Sequence, residues 1–164
     1  MRPLSCTTIV ATIAFCSLAL ADDLSVTVTH PALAGYCVQT LRNALSQIQQ
    51  GLSTCPSGLT PQQCDESTRP LRTAFDNEKR TFDLWRLYGL SLGADGTSEF
   101  LRGVAQANAD IAYISDFVAT HPLDLPPSAS DEDFAKAEKA AAASDPRIQA
   151  IQDRQAECLR GPPL

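Results

Sequence analysis

From residue 31 onward the apolar side chains recur at alternating three- and four-residue steps, the period of a helix that buries one face. The first stripe is Ala34, Val38, Leu41, Leu45, Ile48 and Leu52. Pro31 sits in the first turn of that helix, where its missing N–H costs nothing. The helix is expected to stop near Ser53, because Cys55-Pro56-Ser57-Gly58-Leu59 has the composition of a turn.

Thr60 and Pro61 then offer a cap and a first helical position for a second helix reaching about Leu92. Pro70 is expected to bend or interrupt it, since proline removes a backbone donor and crowds the preceding turn. Its stripe is Leu71, Phe75, Phe82 and Trp85, with Glu78 standing where the spacing calls for an apolar group. Gly93-Ala94-Asp95-Gly96 makes a turn. A third helix follows, capped by Thr97 or Ser98 and carrying Phe100, Val104, Ala107, Ile111, Ile114 and Val118 until His121-Pro122 stops it. After a proline-rich connection, Ser130 caps a fourth helix through an alanine run to about Ala143. Ser144-Asp145-Pro146 breaks this helix and starts a last one bearing Ile148, Ile151 and Leu159 to Arg160.

Residues 24 to 29, Leu-Ser-Val-Thr-Val-Thr, alternate in the two-residue period of a half-buried strand. With no second run of this kind to pair with, residues 22 to 30 are expected to form an extended N-terminal arm. The expected fold is all-α: an antiparallel up-down four-helix bundle, its last helix split, forming a single domain over residues 31 to 164.

Composition adds the compartment. Arg2 precedes an apolar run, Ile9 to Leu20, that ends in Ala19-Leu20-Ala21, so residues 1 to 21 are expected to be a signal peptide. The run is too short to span a bilayer, which takes about 20 apolar residues, and no second one follows, so no integral membrane segment is expected after cleavage. The formal net charge is −6, one unit more negative without the leader's arginine. Lysine occurs only at 79, 136 and 139. That balance disfavours nucleic acid and anionic membrane surfaces. Export makes the protein secreted or periplasmic.

Two of the six cysteines, Cys6 and Cys16, leave with the leader, and Cys37, Cys55, Cys64 and Cys158 remain. An even number in an exported chain reads as disulfides. Helix geometry restricts the pairing: Cys37 lies on the order of 27 Å along the first helix from Cys55, at 1.5 Å per residue, whereas a disulfide needs Cα atoms within roughly 7 Å. Cys64 starts the second helix at the same end as Cys55. The expected pairs are Cys55–Cys64 and Cys37–Cys158, the latter because an up-down bundle returns the end of its last helix beside the start of its first. No close thiolate pair suits zinc, and no C-x-x-C-H suits haem, so no metal or cofactor is expected.

Gly89-Leu90-Ser91-Leu92-Gly93 matches the G-x-S-x-G of a hydrolase nucleophile elbow. That chemistry requires a strand before the serine and a helix after it, and the residues before Ser91 continue a helical stripe. Asp110 or Asp116 followed by His121 would complete the chain order. However, His121 lies roughly 30 Å away, at the far end of the third helix. His30 and His121 are placed at opposite ends of the bundle, which leaves no paired metal site. Catalytic residues are therefore not assigned. Glu78 is either a rim residue or a buried acid with an elevated pKa, and Asn108 is expected to be solvated.

The segment Phe82 to Leu92 points apolar groups in too many directions for one helix face. It is either the most buried stretch of the bundle or an exposed contact patch. The expected function is that of a non-catalytic binding or interaction protein of the inhibitor, immunity or effector kind, meeting a protein partner through Phe82, Trp85, Leu87, Tyr88 and Leu90. The alternatives are a small helical hydrolase using Ser91 or Glu78, and a carrier holding an apolar ligand between helices.

Overall fold

A computed structural model of the chain describes residues 30–55, 58–123 and 130–163. The segment expected to be a signal peptide, and nearly all of the expected N-terminal arm, lie outside these residues. His30, the last residue assigned to the arm, is instead the first residue of a helix.

The helices are α1 (His30–Ser53), α2 (Pro61–Ser91), α3 (Thr97–Thr120), α4 (Asp131–Ala143) and α5 (Pro146–Arg160), with a 3-10 turn at Ala94–Gly96. The described residues contain no strand. The fold is the antiparallel bundle with its last helix split between α4 and α5. α1 is its central member, packed along both α2 and α3 and touching α5, while α4 packs on α5.

Local chemistry sets most of the boundaries. At Thr60 the Gln63 N–H donates to the Thr60 hydroxyl (3.3 Å) and the Thr60 N–H donates to Gln63 Oε1 (3.0 Å), a reciprocal capping box. Ser130 and Asp133 repeat the device at α4, and Asp145 Oδ1 accepts from the Arg147 N–H at 2.8 Å to start α5. Pro70 does not interrupt α2, which continues through it as one helix. The start of α3 departs from expectation. Thr97 already belongs to the helix, and Gly96 occupies the cap position without a side-chain hydrogen bond, because the 3-10 turn feeds straight into the first helical turn.

Central position explains why burial on α1 spreads beyond one stripe, taking in Ala32, Ala34, Gly35, Tyr36, Cys37 and Leu41. The buried residues of α3 are Gly103, Ala107 and Asp110, while Val118 is exposed, so this helix is rotated from its expected stripe. The cause is a close crossing with α1. A methyl group built on Gly35 would run into the Phe100 carbonyl, and one built on Gly103 into the Ala32 carbonyl. Each backbone presses on the other where the partner lacks a Cβ.

One buried polar cluster joins three helices at this level. The Tyr36 hydroxyl donates to Asp110 Oδ2 (3.1 Å), Gln106 Nε2 donates to Asp110 Oδ1 (2.9 Å), and Arg154 Nη2 lies 3.1 Å from Asp110 Oδ2. Burial, and then the adjacent Asp110 charge, push the Tyr36 phenol well above its ordinary range. Two disulfides staple the bundle: Cys37–Cys158 with Cα atoms 5.1 Å apart, and Cys55–Cys64 with Cα atoms 5.9 Å apart.

Candidate functional site

The elbow residues do not form a catalytic group. Ser91 ends α2, exposed, and its hydroxyl donates to the Tyr88 carbonyl at 2.7 Å. Gly93 follows at φ 71, a conformation that suits glycine in a turn between helices. His121 stands past the other end of α3, stacked on Phe117 with ring centroids 4.3 Å apart. A helix of this length holds Ser91 and His121 some 30 Å apart, far beyond hydrogen-bond reach. Asp110 is occupied by Tyr36 and Arg154. His30 opens α1 and His121 closes the parallel α3, so the two histidines lie at opposite ends of the bundle. Among the described residues no cluster of three potential metal ligands occurs.

The aromatic segment of α2 divides by face. Trp85 is fully buried, its indole N–H donating to the Cys158 carbonyl at 2.7 Å, and Tyr88 packs edge-on against it at 5.9 Å. Trp85 therefore leaves the candidate interaction surface, because a buried indole needs an acceptor and finds one at the end of α5. Phe82 and Tyr88 are half-buried against the core. Leu87 and Leu90, joined by Leu84, are exposed on the outer face. Asn108 is exposed as expected, and its Oδ1 accepts from Gln39 Nε2 at 2.8 Å.

The feature that sequence reasoning left vague is a cleft of about 500 Å³ between α1, α3 and α5, closed on one side by the end of α4. Its walls are mostly apolar, including Leu41, Ala44, Ile111, Ile114, Val118 and Ile148. Amide side chains Asn43, Gln47, Gln152 and Gln155 mark its polar positions. The volume falls in the range of about 300–1,000 Å³ found for small-molecule sites. A signal for it lay in Ala44, Ala141 and Ala142: the alanine-rich end of α4 supplies helix without bulk, so the space beside it is not filled.

α2 reaches this cleft through Glu78, the acid on its apolar stripe. Glu78 is 6% exposed, and its Oε2 has no hydrogen-bond partner among the described residues. Burial pushes its carboxyl up from the ordinary 4.5 to about 7. The helix spacing explains this placement, because Glu78 stands between Leu71 and Trp85 on the face that α2 turns inward, and both of those neighbours are buried. Such a group can hold a charge or a proton against whatever enters the cleft. His121 also lines the cleft, and its Nδ1 lies 3.0 Å from both the Thr120 hydroxyl and the Phe117 carbonyl.

Comparison with protein-family models, with curated proteins and with solved structures finds no match.

Proposed function

We propose that the protein is an exported, non-catalytic binding protein that holds an apolar ligand in the cleft between α1, α3 and α5. The observation that carries this reading is an apolar-walled space of ligand size with one buried, unpartnered carboxyl in its lining. Convergence of many apolar groups and few polar ones is the usual build of a small-molecule site. Export is supported by the leader-like residues 1 to 21 and by two disulfides, which persist in oxidising compartments. In keeping with it, no helix among the described residues is long and apolar enough to cross a membrane.

The test is uptake of a neutral environment-sensitive dye, measured by fluorescence against the Ala44→Phe variant. Ala44 lines the cleft, so a phenyl ring there takes up space the ligand needs. Wild-type protein is expected to bind the dye, and the variant to bind it about tenfold more weakly, a difference of 1.4 kcal/mol, with its melting temperature preserved. Failure of the wild type to bind, or equal binding by both, would overturn the reading.

A second reading keeps a protein partner on the outer face of α2. Its support is the exposure of Leu84, Leu87 and Leu90, at 53%, 57% and 70%, on successive turns of one helix.

A further inference from the structure

The chemistry of the cleft's lining narrows the ligand. No lysine or arginine lines it among the described residues, and its ionisable groups are Glu78 and His121. The amide and hydroxyl groups that line it, Thr40, Asn43, Gln47, Ser115, Gln152 and Gln155, are neutral. An anionic ligand would thus meet a carboxylate with no cation to offset it, and like charges at close range repel strongly in a site of low dielectric.

A ligand without a donor would leave Glu78 Oε2 as it stands, buried and without a partner, and a neutral donor would bond to it without offsetting its charge. A buried carboxylate is a costly arrangement that a counter-charge relieves. Arg154, the basic residue of α5 that reaches inward, is committed to Asp110 at 3.1 Å. Among the described residues, the chain therefore buries an acid at the edge of an apolar space and lines that space with no lysine or arginine.

We propose that the ligand of this cleft is an amphiphile with a cationic head, an ammonium on an apolar chain, whose charge meets the Glu78 carboxylate. The inference rests on the reading of the cleft as an apolar-ligand site. Its recognition logic is complementary: the apolar walls take up the chain, and the carboxylate selects the charge of the head. The elevated pKa of Glu78 adds a consequence, since the carboxyl must ionise before it can attract the head. Cation binding should therefore strengthen as pH rises from 6 to 8. His121 is the other ionisable group of the lining, so the profile is also read in the His121→Asn variant.

The experiment compares three probes of equal chain length, dodecyltrimethylammonium, dodecanol and dodecanoate, below their aggregation concentrations. Each is titrated against the disulfide-intact protein at pH 8 by competition with the neutral dye. Wild-type protein is expected to bind the ammonium at least about tenfold more tightly than the alcohol, and the alcohol more tightly than the carboxylate. In Glu78→Gln the advantage of the ammonium over the alcohol should vanish. In Glu78→Asp, which retains the charge, most of the advantage should return. Melting curves establish that each variant is folded. Equal binding of ammonium and alcohol by the wild type, preference for dodecanoate, or a preference that survives in Glu78→Gln would overturn the head-group assignment and leave the cleft reading intact. Absence of competition by all three probes while the dye stays bound would likewise overturn the head-group assignment, and absence of dye binding would overturn both.

Discussion

Glu78 couples the fold to pH. Folding raises its carboxyl from 4.5 to about 7, so in that interval the native state holds a proton that the unfolded chain has released. Its contribution is most favourable below pH 4.5, is lost as pH rises through about 7, and is constant above that. The span corresponds to about 3 kcal/mol at 1.36 kcal/mol per unit. Denaturant unfolding at pH 5 and pH 8 should show wild-type stability falling by an amount of this order, and Glu78→Gln should abolish most of the fall. An unchanged slope in the variant would assign the effect elsewhere. The position was legible in the sequence, because a carboxylate interrupts an apolar period at Glu78, and that period sets which face is buried. Trp85 was harder to place. Its hydrogen-bond acceptor is a backbone carbonyl, that of Cys158, 73 positions further on, and side-chain patterning encodes no backbone acceptor.

At the scale of helices, the reciprocal glycines decide how α1 and α3 meet. Gly35 and Gly103 each face a carbonyl of the opposing backbone, which cannot swing aside as a flexible side chain can. Replacing either by alanine adds up to about 1 kcal/mol of helix propensity but overpacks the crossing, for which the usual cost is about 1–3 kcal/mol and sometimes more. Net destabilisation is therefore expected in Gly35→Ala and Gly103→Ala, measured as a lower denaturant midpoint. A neutral or stabilised variant would mean that the helices separate easily. The helix ends at Thr60, Ser130 and Asp145 could be read locally, since a cap is a contact between residues two or three apart. The rotation of α3 could not. Periodicity counts apolar side chains and is blind to a glycine, yet here the absence of a side chain sets the contact, and the buried face follows Gly103 and Asp110 instead of Val104 and Val118.

At the scale of the whole molecule, the order of the helices and the pairing of the cysteines were legible together, because rigid rods of known rise leave few ways to bring sulfur atoms into contact. The cleft was not, since its shape depends on how α4 and α5 settle against α1 and α3. The two disulfides close loops of very different length, with sequence separations of 121 and 9 residues. On a chain-entropy account the longer is worth nearly 5 kcal/mol and the shorter about 3 kcal/mol. Replacing both Cys37 and Cys158 by serine should therefore lower unfolding free energy more than replacing Cys55 and Cys64, as read by denaturant titration of the two double variants. The reverse order would show that strain or residual structure outweighs loop closure. The longer bridge also makes most of the chain a covalent ring. A protease that severs one peptide bond between residues 37 and 158 releases no fragment, so a nicked molecule gains only the mass of one water and runs as two pieces only after reduction.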